Sequence, residues 1–174
     1  QQLRCGWTNP VTILVVGAGA RVFPEILERE VEMLMEVDSR IVDRIFIDLR
    51  AGLHTGEHTA RSTASGRHHA MGATGKGCSE ALIDRVRLRG SGGRLFRDHP
   101  MASRFRLADT VSLLHGAYDA GDQILLEGTQ GSGLDLYLGP YPYVTHKQTT
   151  AAQWVAEAGL SPAMQYEVVL VART

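Results

Sequence analysis

The chain has few of the features that mark secreted, membrane or nucleic-acid-binding proteins. Its 174 residues include only two cysteines, too few for a disulfide framework or a four-thiolate zinc site, which favours a reducing compartment. Eighteen basic and 19 acidic side chains leave a net charge of −1, so no surplus of positive charge exists for a nucleic-acid backbone or an anionic membrane. The longest apolar run, residues 11–16, is far too short to span a bilayer, and the first residues lack a signal-peptide pattern. We therefore expect a soluble, cytoplasmic protein without nucleic-acid or membrane partners.

What is present predicts a single domain, residues 1–174, with alternating strands and helices. The length and the 44% hydrophobic content suit one core that buries roughly two thirds of the unfolded surface. The alternation predicts an α/β fold with a mostly parallel sheet and flanking helices, its first strand central. Residues 50–77 lose periodicity and are predicted to be a long irregular loop. We predict strands over residues 12–16, 44–49, 123–127 and 167–172, and helices over 24–37, 79–89, 105–120 and 149–158.

A first glycine-rich stretch, Gly72-Ala73-Thr74-Gly75-Lys76-Gly77, comes just before a predicted helix. Glycines let the backbone approach a ligand, a helix start offers unpaired N–H groups, and Thr74 and Lys76 add a hydroxyl and a cation. This combination suits phosphate. It is not a Walker A loop, because Ala70 and Gly77 stand where that motif needs glycine and a hydroxyl residue. An ordinary flexible loop entering a helix is the alternative.

Two further stretches follow the predicted strand 123–127. In residues 127–135, Gln130 offers one acceptor and two donors, which suits recognition of a purine edge, although a tight turn would also explain the glycines. In residues 139–146, two prolines fix the backbone and can hold Thr145 in place; a structural loop that packs tyrosines is the alternative.

The histidines suggest a competing hypothesis, a metal-binding protein. His54 and His58 are four residues apart, and His68 and His69 follow. Because the segment is predicted to be irregular, a shared helix face cannot be argued for the pair.

The stretches Glu127-Gly128-Thr129-Gln130-Gly131 and Tyr141-Pro142-Tyr143-Val144-Thr145 resemble the signature of adenylosuccinate synthetases. The stretch 72–77 resembles that family's glycine-rich nucleotide loop, and residues 15–19 with Pro24 match a strand, loop and helix nearer its start. The likeness extends from about Val11 to the end, and the Gly133-Leu134 spacing is similar to the archaeal and phage branch, which includes enzymes acting on deoxyguanylate.

The resemblance implies a P-loop NTPase-like synthetase core, here incomplete. It further implies purine biosynthesis by a homodimeric ligase that condenses L-aspartate with a purine nucleoside monophosphate, IMP or (d)GMP, driven by GTP or ATP with Mg²⁺. By resemblance, Thr74 and Thr145 contact the monophosphate and Gln130 the purine. The family lends an arginine across its dimer interface; ungapped alignment puts Leu88 there, so Arg87 or Arg89 would have to serve. The implied loop residues near the nucleotide are Gly72, Gly75, Lys76 and Gly131.

The departures from the family pattern limit the expected activity. The family's catalytic aspartate and histidine, and the GTP and magnesium sites, have no counterpart in this sequence, which starts at Gln1 and stops after a predicted strand. We therefore expect the middle portion of such an enzyme, inactive alone. The alternative from another class is a non-catalytic nucleotide-binding or dimerisation module.

Overall fold

A three-stranded parallel sheet lies at the centre of the fold. The computed structural model describes residues 2–3, 5–66, 70–89 and 94–172. Strand β1 (Leu14–Val16) pairs with β3 (Ile45–Asp48), and β3 pairs with β5 (Arg106–Ala108). The order β1-β3-β5 makes β3 the central strand of the described sheet, so the prediction that the first strand is central was wrong. The α/β fold with parallel strands is confirmed.

A second, two-stranded parallel sheet joins β2 (Arg21–Val22) to β4 (Gly52–Leu53). Each of these strands follows a strand of the first sheet after a short connection. Arg21 stands opposite Gly52 in the register. This pairing holds Arg21 in a strand at the edge where β1 leads into its glycine-containing loop.

Five α-helices lie wholly within the described residues, and their starts follow simple rules. The first, α1, begins with a proline whose missing N–H has no intrahelical partner to lose, and it buries Leu27 and Val31. The others are α2, α3, α4 and α5 in chain order. Their bounds are Pro24–Met35 for α1, Gly56–Ala64 for α2, Cys78–Arg87 for α3, Thr110–Asp119 for α4 and Ala151–Glu157 for α5. None of the helices in the described part of the chain is long and apolar enough to cross a membrane.

The core lies between the sheets and α1. It is built from apolar side chains of β1, β2, β3 and α1, together with Phe96 and Phe105 from the segment before β5. One charge lies inside this region, since Asp48 at the end of β3 is fully buried. Its carboxylate accepts bonds from the Thr110 N–H at 2.9 Å and hydroxyl at 2.7 Å, and it pairs with Arg50 at 2.8 Å. Burial alone would raise the pKa of Asp48, but these bonds outweigh it and hold that pKa well below its usual range.

The prediction that residues 50–77 form an irregular loop was wrong. This segment contains β4 and α2. Helix α2 starts with a capping box in which His58 is the third residue of the helix. The Thr55 N–H donates to His58 Nδ1 at 2.9 Å. The usual box has Glu or Gln at that position, so the pattern Thr-x-x-His carried no familiar signal.

The helix predicted over residues 105–120 is two elements. Residues Arg106–Ala108 form β5, and α4 starts only at Thr110. Asp109 is its N-cap and accepts from the Val111 N–H at 3.2 Å. This aspartate is a typical N-cap residue and marks the true start of the helix.

The strands predicted over residues 123–127 and 167–172 are not formed. No described residue pairs with either segment as a strand partner, and Leu125 and Leu170 are 74% and 89% exposed. An apolar run becomes a strand only when another strand supplies hydrogen bonds and a face to bury. The predicted strands 12–16 and 44–49, and the predicted helices 24–37, 79–89 and 149–158, are confirmed with slightly shorter bounds.

Candidate functional site

A single buried carboxylate organises the loop that leads from Gln130 to Thr149. Asp135 Oδ2 accepts the Thr149 N–H at 2.6 Å, and Oδ1 accepts the N–H groups of Tyr137 at 2.9 Å and Leu138 at 3.2 Å. These backbone donors, led by Thr149, lower the pKa of Asp135. A carboxylate satisfied by three N–H groups fixes both ends of the loop at once.

The segments that carry Gln130 and Thr145 are tied directly to each other. The Thr149 hydroxyl donates to the Gly131 carbonyl at 2.8 Å, and the Thr145 N–H donates to the Leu134 carbonyl at 2.8 Å. The structure therefore brings together two of the three sequence-predicted contact residues, Gln130 and Thr145, on one cross-linked loop.

Gln130 has an unusual backbone. Its φ of +68° makes it the one non-glycine residue with positive φ in the described parts of the chain. This left-handed conformation costs a residue with a side chain on the order of 1–2 kcal/mol. Its side chain is exposed. Such strain is retained when the surroundings impose it, and it concentrates at ligand-binding positions.

Helix α5 supports this loop from below through an aromatic ring and a charged pair. A Cβ placed on Gly128 would lie 2.5 Å from Trp154 Nε1, so the indole rests against the bare glycine backbone. The ammonium of Lys147 lies 3.8 Å from the centroid of the Trp154 ring and 3.0 Å from Glu157 Oε2. Glu157 also packs on Gly19 in the loop after β1, where an added Cβ would lie 3.0 Å from its carboxylate. The loop after β1 and the Gln130 loop therefore meet on α5.

A chain of polar contacts leads from β2 to Thr145. An Arg21 Nη2 lies 3.0 Å from His146 Nε2, and His146 Nδ1 lies 3.3 Å from Thr145 Oγ1. Burial, followed by the charges of Arg21 and Lys147, lowers the pKa of His146 to about 4. His146 is therefore neutral near pH 7. Arg21 was not predicted from the sequence. This residue follows the glycine-containing loop after β1, but no pattern in the sequence indicates its contact with His146.

The stretch 72–77 enters α3 beside the same cluster. Gly77 has φ +79°, and an added Cβ would lie 2.4 Å from the His58 backbone, so only glycine fits where the loop crosses α2. The Thr59 hydroxyl donates to the Lys76 carbonyl at 3.2 Å. Cys78, the first residue of α3, interacts electrostatically with Arg21 and Lys147. Gly72, Thr74 and Lys76 are exposed in front of this helix start, and Gly75 is half-buried.

The predicted arginines are placed apart from this cluster. Arg87 lies in the last turn of α3 and Arg89 follows it, both exposed. Arg89 Nε donates to the carbonyl of Val86 in the last turn of α3 at 2.9 Å. Within the described residues, no hydrogen bond joins Arg87 or Arg89 to Gln130, Thr145 or the stretch 72–77.

His54 and His58 lie side by side, but their hydrogen bonding differs, because among the described residues the buried Nε2 of His54 has no hydrogen-bond partner. Their ring centroids are 5.5 Å apart. His58 accepts at Nδ1 from Thr55 and lies 3.3 Å from Asp84 through Nε2, so neither ring nitrogen is left for a metal. No group of three His, Cys, Asp or Glu side chains suited to a metal ion occurs in the ranges that the structure describes, and His68 and His69 lie outside them.

Comparison with known proteins relates the whole arrangement to one family. The family model of adenylosuccinate synthetase matches residues 96–174. The adenylosuccinate synthetase of Methanococcus vannielii is 40% identical over 169 residues, which cover 95% of this chain and 48% of that protein. The chain matches the adenylosuccinate synthetase family, by the family model over residues 96–174 and by sequence over nearly its whole length. The synthetase of Pyrococcus horikoshii is 35% identical over 98% of the chain and 49% of its own length.

Solved structures of adenylosuccinate synthetase type share the fold. The succinoaminodeoxyadenylate synthetase (PurZ) of cyanophage S-2L, bound to dGMP and to dATP as an energy donor, superposes with a TM-score of 0.73. It is 30% identical over 92% of this chain and 45% of its own. The adenylosuccinate synthetase of Plasmodium falciparum gives a TM-score of 0.71 at 18% identity and shows the fold alone. The chain spans about half the length of the relatives it matches.

Proposed function

We propose that this chain supplies the purine-monophosphate-binding part of an adenylosuccinate synthetase-type ligase. The proposed ligase joins L-aspartate to the purine of IMP or (d)GMP at the expense of GTP or ATP. The observation that carries the proposal is the cross-linked loop, which holds Gln130 in a strained conformation next to a fixed Thr145. The match to the family supplies the class of ligand.

Each site residue has a chemical role in this proposal. Thr74, Lys76 and Thr145 donate to the phosphate, two through hydroxyls and one through an ammonium group. Gln130 reads the purine edge with its amide, whose donors and acceptor match a ring nitrogen and an exocyclic group.

The glycines of the proposed site keep the backbone accessible to the ligand. Gly72, Gly75 and Gly131 carry no side chains that would stand between the backbone and the phosphate. The phosphate lies before the start of α3, where unpaired N–H groups and the helix dipole favour negative charge.

Arg87 and Arg89 belong to the proposal through a second copy of the chain. Both are exposed at the end of α3, so either is available to reach the phosphate held by a neighbouring copy in a homodimer. The resemblance and the exposure of the two side chains support this assignment.

Mg²⁺ and the triphosphate enter the proposal as requirements of the family, and no residue of this chain is assigned to them. We expect the chain alone to bind the monophosphate without turning it over.

Isothermal titration calorimetry on the 174-residue chain tests the proposal. Deoxyguanylate and inosinate are the ligands, and deoxyguanosine, which lacks the phosphate, is the matched comparison. We expect at least one nucleotide to bind and the nucleoside to bind far more weakly. Gln130→Ala is expected to weaken nucleotide binding about tenfold, as one lost hydrogen-bonding group does. Gln165→Ala, which removes an exposed amide outside the site, is the control. Absence of binding for both nucleotides, or equal binding of the nucleoside, would overturn the proposal.

A further inference from the structure

The contacts from Arg21 through His146 to Thr145 have a direction, which follows from which atoms can donate a proton. A guanidinium group has only donors and stays protonated in proteins, so Arg21 donates to His146 Nε2 across 3.0 Å. A neutral imidazole with an acceptor at Nε2 must carry its proton on Nδ1. That Nδ1–H then donates to Thr145 Oγ1, 3.3 Å away.

The direction of these bonds decides how the Thr145 hydroxyl can act. A hydroxyl has one proton and two acceptor lone pairs. Because one lone pair receives the His146 proton, the hydroxyl proton is left to point away from His146. An anionic oxygen has no protons of its own, so a hydroxyl oriented as a donor is the form that binds it.

We propose that Arg21 is a positioning residue, which fixes the His146 tautomer and thereby holds the Thr145 hydroxyl as a donor toward an anionic phosphate oxygen. This inference rests on the proposed function, because the anion is the monophosphate of that site. It assigns Arg21 and His146 a task that the family signature does not carry.

The pairing of β2 and the neighbouring charges position Arg21 for this task. Arg21 lies in β2 opposite Gly52, and an added Cβ at Gly52 would make only ordinary contact with the Arg21 side chain, at 3.6 Å. Five groups interact electrostatically with Arg21 or His146, namely His54, Cys78, Arg85, Lys147 and Glu157. Lys147 is engaged by Glu157 at 3.0 Å, and Arg85 donates to the Arg50 carbonyl, which leaves Arg21 as the cation bonded to His146. The low pKa of His146 agrees with a neutral ring.

The first test measures the tautomer directly in the ligand-free chain. Long-range proton–nitrogen correlation spectra of the ¹⁵N-labelled chain at pH 7 distinguish the two ring nitrogens, and the His146→Gln spectrum assigns the signals. We expect the proton on Nδ1 in the wild type and in Arg21→Lys, which retains a charged donor. In Arg21→Met the preference for Nδ1–H is expected to be lost. A wild-type Nε2–H ring, or an Arg21→Met ring with the wild-type tautomer, would overturn the inference even if binding persists.

The second test is a double-mutant cycle on the affinity for deoxyguanylate and inosinate. Arg21→Met is expected to weaken binding about tenfold when Thr145 is present, and by no more than about twofold in the Thr145→Ala background. Arg21→Lys should recover most of the loss. Arg29→Met removes an exposed arginine of α1 and is the matched control.

The outcomes separate this inference from the proposed function. If the wild type binds and Arg21→Met loses the same factor in both backgrounds, Arg21 acts independently of Thr145 and the inference fails alone. If the wild type binds neither nucleotide, the proposed function fails, and the inference with it. Should Arg21→Met not fold, as circular dichroism would reveal, the wild-type tautomer and the Arg21→Lys variant still decide.

Discussion

The carboxylate of Asp135 accepts the backbone N–H of Thr149 at 2.6 Å, across a separation of 14 residues in the chain. Its other oxygen accepts two N–H groups on the near side of the same loop. The loop between them carries Thr145 and His146 and contains little regular structure. One buried side chain therefore sets the geometry of a surface that the sequence marks only by its glycines and prolines.

Asp135→Asn tests this dependence. An asparagine retains one acceptor oxygen but puts an NH₂ donor against a backbone N–H, so we expect a lower Tm and weaker monophosphate binding. Asp122→Asn, at an exposed position after α4, is the control and should change neither. The pKa of Asp135 is lowered in the fold, so its stabilising effect is present above its ordinary value and is lost as the pH falls through the folded value. Calorimetry at neutral pH measures both quantities, and a wild-type affinity in Asp135→Asn would count against the assigned role.

Substitutions of Gln130 are expected to affect protein stability and monophosphate binding differently. Glycine removes the strain of the φ of +68°, whereas alanine retains it, and both remove the amide. We expect both variants to bind the monophosphate about tenfold more weakly. Gln130→Gly should nevertheless have a free energy of unfolding about 1 kcal/mol higher than Gln130→Ala. Urea denaturation checks this difference, and equal stabilities would show that the loop is not strained.

His146 predicts a pH dependence of stability. Its pKa of about 4 in the fold lies below the ordinary 6.5, so the unfolded chain takes up the proton first as the pH falls. His146 therefore lowers the stability of the fold progressively as the pH falls from about 6.5 to about 4, and it causes no further loss below that. In His146→Gln this contribution is absent, and the Tm should fall less over the same interval. Parallel Tm curves for the two proteins would contradict the burial of a neutral ring.

The hydrogen bond from the Thr110 hydroxyl to buried Asp48 is expected to stabilise the fold. Thr110→Val keeps the shape but removes the hydroxyl that donates to buried Asp48 at 2.7 Å, which should lower the free energy of unfolding by about 1–3 kcal/mol. Ser112→Ala is the matched control, because its hydroxyl donates at 3.0 Å to the exposed carboxylate of Asp109. Urea denaturation of both variants should show a clearly larger loss for Thr110→Val, and equal losses would rule out a structural role for the Asp48 bond.

Local sequence patterns correctly predicted the elements whose start, end or buried face is marked by nearby residues. Pro24 with its apolar stripe identified α1, and the β-branched run before Gly17 identified β1. The strand predicted over 167–172 failed because its apolar side chains have no partner strand among the described residues. Helix α2 was missed because a histidine takes the place of the acidic residue in its capping box.

The sequence predicted those parts of the site that have a local signal. Gln130 and Thr145 lie in stretches whose glycines and prolines indicate a shaped loop. Asp135 and Arg21 act over 14 and 125 residues of chain, and no local pattern indicates partners at that distance.

The central claim is that three separate stretches form one monophosphate site, and amide chemical-shift mapping tests it most directly. Deoxyguanylate and inosinate are titrated into the ¹⁵N-labelled chain, with deoxyguanosine as the comparison. We expect shifts at residues 72–76, 130–134 and 144–146 that fit a single dissociation constant, and we expect the shifts of the first and third stretches to require the phosphate. Shifts confined to one stretch, different constants for the three, or no shifts at all would contradict it.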